Sequence, residues 1–150
     1  MDECYMKAAI EEAMKALEAD EVPIGAVIVK NDELISRAHN LRETLKNATA
    51  HAEILAINDA CRKLSSWRLL DCDMYVTLEP CPMCAGAAVN ARIKRIAFGA
   101  YDIKSGACGS IMDITNNEKL NHRIEVVSGM LEDECRLMLQ EFFKMKRKKS

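Results

Sequence analysis

The apolar positions of the chain switch repeatedly between a helical and a strand period, and each switch marks an element. Over residues 3–19, Met6, Ile10, Ala13, Met14 and Leu17 recur at helical spacing with acids and lysines between them, which predicts an amphipathic helix. Asp2 stands at its start as an N-cap, and Pro23 forbids its continuation. Ile24 to Lys30 is a β-branched run, Asn31-Asp32 a turn signal, and Leu34 to His39 a returning strand, together a hairpin. The polar stretch Asn40 to Asn47 reads as a loop. Ile54, Leu55, Ile57, Ala60, Cys61 and Leu64 form one face of a second helix over residues 50–64, with Thr49 as its N-cap.

Met74 to Leu78 is a buried strand, Pro80 to Arg92 an alanine-rich helix with proline near its first turn, and Arg95 to Ala100 another strand. Ser105 to Ser110 reads as a loop and residues 124–127 as a last strand. Leu131, Cys135, Met138, Leu139, Phe142 and Phe143 make the apolar face of a final helix, with Phe142 and Phe143 expected on the sheet. The order α β β α β α β β α predicts an α/β fold with helices on both faces of one sheet.

A length of 150 residues fits one domain over 1–150, with 144–150 as a basic C-terminal tail. Hydrophobic residues at 49% and charged ones at 29% exclude a disordered chain. No apolar run is long enough for a membrane helix, and Met1-Asp2-Glu3 does not open a secretory signal. Seven cysteines in an unexported chain point to reduced thiols and a cytoplasmic location rather than a disulfide framework.

The net charge of −2 hides an asymmetry. Residues 1–21 carry seven acids and two bases, whereas residues 144–149 carry five bases and no acid. A polyanionic partner is therefore compatible with this acidic chain, provided the basic surface is local. The tail is read equally as a solvated, frayed end and as an RNA contact.

Two segments carry chemistry: Thr49-Ala50-His51-Ala52-Glu53, and Leu78-Glu79-Pro80-Cys81-Pro82-Met83-Cys84. Cys81 and Cys84, three apart at a helix start, can present two sulfurs to one point, and a helix N-terminus favours thiolates. A second C-x-x-C is absent from the sequence, so a Cys4 site is excluded. With His51 as third ligand the set leaves one position open, as catalytic zinc sites do. Zinc lowers the pKa of a coordinated water from about 15.7 to about 7, and a carboxylate beside it, Glu53, can move the proton. Residues i and i+2 of a regular helix do not share a face, so His51 and Glu53 cooperate only if His51 lies in an irregular first turn. H-x-E with P-C-x-x-C is the pattern of zinc nucleobase deaminases, in which the Glu is not a ligand.

The resemblance extends along the chain. Pro23-Ile24-Gly25-Ala26-Val27, Ala38-His39-Asn40-Leu41, Tyr75 to Cys81, Cys84-Ala85-Gly86-Ala87, Phe98-Gly99-Ala100, Gly106 to Ser110, Asn121-His122-Arg123 and Glu141-Phe142-Phe143 resemble the bacterial tRNA adenosine deaminase family from about Glu21 to Phe143. That resemblance implies a cytidine-deaminase-like three-layer α/β/α sandwich around a five-stranded mixed sheet. It implies a homodimer that hydrolyses wobble adenosine in a tRNA anticodon stem-loop to inosine, with one zinc ion per chain. By it, His51, Cys81 and Cys84 hold the metal and Glu53 shuttles the proton. Asn40 and the backbone N–H of Ala52 meet the flipped base, and Asp102 and Lys104 lie by the anticodon loop. The chain departs from the family at Asn47-Ala48, where many relatives have Asp-Pro, and at Tyr101, a position often charged.

The runner-up activity is a free-base or nucleoside deaminase for guanine, cytosine or cytidine, and a non-catalytic zinc-stabilised binding module is the alternative from another class. Cys4, Cys61, Cys72, Cys108 and Cys135 read as small buried hydrophobes. His39 and His122 read as structural, and Trp67 alone is no stacking platform.

Overall fold

A computed structural model of the chain describes residues 1–149, without the Lys149 side chain; Ser150, the last residue of the basic tail, lies outside it. The elements are α1 (Glu3–Glu18), β1 (Gly25–Lys30), β2 (Glu33–His39), α2 (Ala52–Leu64), β3 (Cys72–Leu78), α3 (Pro82–Asn90), β4 (Arg95–Ala100), β5 (Glu125–Val127) and α4 (Glu132–Lys149). One sheet runs β2-β1-β3-β4-β5. The β1 strand is antiparallel to β2 and β3, while β3, β4 and β5 are mutually parallel.

Alternation along the strands builds two cores. On one face Ala26, Ile28, Met74, Val76, Ile96 and Phe98 pack under Ala56 and Ala60 of α2 and Ala85, Ala88 and Val89 of α3. On the other, Val27, Val29, Tyr75 and Ala97 pack under Met6 and Ala9 of α1 and Cys135 and Leu139 of α4. The result is the three-layer α/β/α sandwich with a five-stranded mixed sheet. Gly25 lets α1 sit on β1: a Cβ there would collide with the Ala9 carbonyl oxygen and the Ala13 nitrogen.

Several local expectations are corrected. Met14 is exposed, because the buried stripe of α1 runs Met6, Ala9, Glu12, Ala13, Ala16 instead. The buried Glu12 belongs to that stripe because its carboxylate meets Lys15, Arg37 and His39. Thr49 is not the N-cap of α2. Its N–H and hydroxyl both donate to Asn47 Oδ1, each at 2.9 Å, and His51 takes the cap position. The third helix starts at Pro82 rather than Pro80, with Cys81 as its N-cap.

Among the other cysteines, Cys72, Cys108 and Cys135 are buried, Cys61 is half-buried and Cys4 is exposed. His39 lies 3.0 Å from Glu12, and His122 Nε2 lies 2.6 Å from the Ile93 carbonyl oxygen. The basic tail continues α4 as helix through Lys149 rather than leaving it at Phe143. Lys146 pairs with Asp20 at 2.7 Å and stands over the Phe142 ring.

Candidate active site

The β3 strand ends at Leu78, and the chain turns through Glu79 and Pro80 into α3. Cys81 is extended there (φ −75°, ψ 174°), Pro82 opens the helix, and Cys84 follows within its first turn. On the neighbouring helix, His51 is likewise extended (φ −74°, ψ 149°), outside the first turn of α2. The awkward i, i+2 spacing is resolved by this geometry: Ala52 begins the helix, so His51 and Glu53 are not bound to helical directions. His51 Nδ1 lies 3.5 Å from Cys84 Sγ and 3.8 Å from Cys81 Sγ, and the three donor atoms all lie within 4.8 Å of one another.

A tetrahedral zinc with its usual S and N bond lengths sets such S···N pairs about 3.6 Å apart. Spacing and donor chemistry together make this a fit for a divalent, thiophilic metal. The protonation pattern agrees. Cys81 is drawn down to about 4, first by the hydrogen bond from the Cys84 thiol and then, against burial, by His51. Cys84 is pushed up by the same contact and by burial, and His51 is raised chiefly by its hydrogen bond with Cys81. Protons here occupy positions that a dication would take over.

Glu53 is 4% exposed. Burial pushes its carboxyl up to about 7, and the negative charge of Cys81 adds to this. A buried carboxyl poised near neutrality is equipped both to take and to give a proton.

Asn40, Arg42, His51, Ala52, Glu53, Cys81, Asp102, Ser105 and Phe143 line one cavity of about 230 Å³. That lies below the roughly 300–1,000 Å³ of pockets for drug-sized ligands, room for a flat base rather than a whole nucleotide. Asn40 is buried. Its Oδ1 accepts from the Arg42 N–H at 3.1 Å, and its Nδ2 makes a long 3.4 Å contact with the Val22 carbonyl oxygen. The Ala52 N–H, first in α2, is one of the donors a helix start leaves without an intrahelical partner. Asp102 lies at the mouth and turns Oδ1 back onto the N–H groups of Lys104 and Ser105, each at 3.0 Å. Lys104 is not in this cavity. It lines an adjoining groove of about 1,090 Å³ with Arg136, Lys146 and Arg147, which shares Asp102, Ser105 and Phe143 with the cavity.

Residues that the sequence did not place in the site also shape it. Phe143, expected on the sheet, is 45% exposed at the junction of cavity and groove, and only Phe142 is buried. Glu21 is buried, and its carboxylate accepts from the Glu43 N–H and from the N–H and hydroxyl of Thr44, fixing the loop after Asn40. Glu79 does the same for the loop after β4. A carboxylate written into an apolar strand end, as in Thr77-Leu78-Glu79-Pro80, was the available signal. Tyr101 is a packing residue, edge-on to Phe98 and donating to Ser128 Oγ at 3.0 Å.

A His-Cys-Cys donor set at two helix starts, a buried glutamate and an α/β/α sandwich together define a deaminase of the nucleobase type. The MafB19-like deaminase family model matches residues 1–147. A tRNA-specific adenosine deaminase of Bacillus subtilis (strain 168) is 57% identical over 148 residues, 99% of this chain and 92% of that protein. One from Aquifex aeolicus (strain VF5) is 49% identical over 95% of this chain and 93% of its own length. A structure from a study of A-to-I editing by tRNA:A34 deaminases at the wobble position of transfer RNA superposes with a TM-score of 0.88. It is 45% identical, over 91% of this chain and 99% of that one. Guanine deaminase from Nitrosomonas europaea is more distant, at 26% identity and a TM-score of 0.78, covering 95% of this chain and 84% of its own. The chain therefore belongs to the MafB19-like deaminases and, among them, to the tRNA-specific adenosine deaminase family.

Proposed function

We propose that this protein is a zinc-dependent hydrolase that converts adenosine to inosine at the wobble position of a tRNA anticodon, the whole chain acting as one deaminase domain. The observation that carries the chemistry is the convergence of His51, Cys81 and Cys84 beside a buried glutamate that is surplus to the donor set. Zinc held by those three residues, one ion per chain, supplies activation of a water molecule for attack on the base.

Glu53 takes a proton from the attacking water and delivers it to the ring nitrogen; it then takes the remaining proton from the newly attached hydroxyl and hands it to the departing amine, so that water and adenosine give inosine and ammonia. Asn40 and the Ala52 N–H hold the base edge and fix the carbon to be attacked against the metal set. Leu78 and Phe143 border the cavity and limit water to what the reaction uses.

RNA as substrate is supported by the names of the close relatives and by the groove beside the cavity. An RNA strand that has flipped one base into the cavity lies across Asp102, Ser105 and Phe143 into a groove bearing four cationic side chains. A homodimer is supported by α3, where the exposed Pro82 and the half-buried Met83 and Gly86 leave an apolar side partly open; an apolar helix face calls for cover. A cytoplasmic site of action fits seven free cysteines and a tRNA substrate. Among the described residues no helix is long and apolar enough to cross a membrane.

The deciding experiment incubates the zinc-loaded protein with an anticodon stem-loop bearing a wobble adenosine, and separately with guanine, cytosine and cytidine. Inosine in the stem-loop is expected. Turnover of a free base or nucleoside with none in RNA would replace this reading with the small-substrate deaminase that the guanine deaminase neighbour exemplifies.

A further inference from the structure

Glu79 sits between the end of β3 and Cys81 and is 1% exposed, yet no cation among the described residues forms a salt bridge with it. Its charge is met wholly by the loop after β4. Oε1 accepts from the Asp102 N–H at 3.1 Å and from the Ser110 hydroxyl, while Oε2 accepts from the N–H groups of Cys108 and Ser110, each at 3.1 Å. Four donors from both ends of a nine-residue loop thus close on two oxygens. The loop is folded around that carboxylate tightly enough that only glycine fits at 106, where a Cβ would collide with the Glu79 carboxyl group and the Asp102 carbonyl oxygen. The Gly106 N–H donates to Asp102 O at 2.8 Å, and the Ala107 N–H to Pro80 O at 2.8 Å. The far side of the same loop carries Asp102 at the cavity mouth, and Ile103, 81% exposed, and Lys104 on the cationic groove.

From this geometry we infer that Glu79 is a positioning residue for RNA: its carboxylate folds the 102–110 loop into the shape that presents Asp102, Ile103 and Lys104 to the strand flanking the target base. The inference rests on the RNA reading above. Charge-assisted hydrogen bonds are the strong ones, and a buried carboxylate that loses its donors has no water to replace them, so the loop is held in one arrangement. Glu79 is not among the donor atoms that meet at His51 Nδ1. It lines the cavity wall beside Asp102, but both its oxygens are taken up by loop donors, so its effect falls on how the loop presents RNA rather than on the metal set or Glu53.

The test measures single-turnover deamination of the wobble-adenosine stem-loop by zinc-loaded protein, as a function of protein concentration. Wild type yielding no inosine at all would sink the functional reading itself, independently of Glu79. Given wild-type turnover, Glu79→Gln is expected to keep one zinc per chain and the saturated rate within about twofold, and to raise the half-saturating concentration about tenfold or more. A carboxamide offers one acceptor oxygen where two are used, and turns an N–H toward backbone N–H groups. Ser110→Ala, which removes a single donor and no buried charge, is expected to raise it by about threefold and secures the test should Glu79→Gln fold poorly.

Lys104→Ala is then combined with each variant. If Glu79 acts through the loop, the loss from Lys104→Ala shrinks in the Glu79→Gln background, so the two effects are less than additive. Full additivity, an unchanged half-saturating concentration, or a fall in zinc content or saturated rate would each overturn the inference.

Discussion

Replacing Glu12 by Gln removes a charge from the interior of the α1–β2 contact, and the structure sets the size of the effect. Glu12 is 3% exposed. Its carboxylate faces Lys15 Nζ at 2.7 Å on its own helix, and Arg37 Nε at 2.7 Å and His39 Nδ1 at 3.0 Å on β2, while Arg37 also reaches Glu11 at 3.0 Å. Burial alone would raise its pKa, but the hydrogen bonds from Lys15, His39 and Arg37 outweigh it and hold the carboxyl at about 2, against 4.5 for a free side chain. The folded group is the stronger acid, so the unfolded chain binds the extra proton as the pH falls. The stabilisation is complete well above pH 4.5 and is lost progressively down to about pH 2.

At about 1.4 kcal/mol per pKa unit, the full effect is about 3 kcal/mol, of which linkage places about 2 kcal/mol between pH 7 and pH 3. Urea unfolding of wild type and Glu12→Gln at a series of pH values measures it, and metal loss in acid, common to both proteins, cancels in the difference. The stability gap at pH 7 should narrow by about 2 kcal/mol at pH 3. Two parallel curves would show that the charge of Glu12 contributes nothing, and that its burial is tolerated rather than stabilising. The contact also bears on the site, since His39 is the residue before Asn40.

Glu53→Gln should retain its zinc and fold while turnover falls at least about 100-fold, the lower range of general acid–base catalysis; loss of zinc from a folded variant would make Glu53 a ligand instead. Cys84→Ser should lose the metal and lower the melting temperature, read by metal analysis and calorimetry, because site formation is coupled to folding; a variant still carrying one zinc per chain would remove Cys84 from the ligand set. Asn40→Ala should lower kcat/KM on the stem-loop by the equivalent of about 1–3 kcal/mol, and unchanged kinetics would leave Asn40 a structural role through its contacts with the Arg42 N–H and the Val22 carbonyl oxygen. Removing residues 144–150 should weaken stem-loop binding at low salt while leaving the saturated rate intact, with a log–log salt slope shallower by at most about 3.5, at about 0.7 per contact; an unaltered slope would place the RNA away from the end of α4.

The element order, the two-faced sheet and the two short motifs His51-Ala52-Glu53 and Pro80 to Cys84 could all be read along the chain, for one physical reason, while the joining of the two motifs into one candidate site came from the deaminase pattern. Each depends on local periodicity or on residues fixed relative to a helix start, and both are properties of a few neighbouring positions. The resolution of the His51–Glu53 spacing could not be read, because Asn47 draws both donors of Thr49 away from the helix and leaves the cap position to His51. Phe143 appeared as one more apolar position of α4, and only the placement of α4 beside β3 and the 102–110 loop turns it to the cavity. Glu12 and Glu21 look like ordinary surface acids by composition, and Glu79, though its apolar setting marks it, does not show its partners. Their partners lie more than 20 residues away, at Arg37, Thr44 and Ser110, so their burial is decided only when the chain is folded. Sequence determined which groups this protein owns and on which elements they ride. The tertiary structure decided which carboxylates lose their water and what replaces it, because desolvation is a property of everything packed around a group and not of its neighbours in the chain.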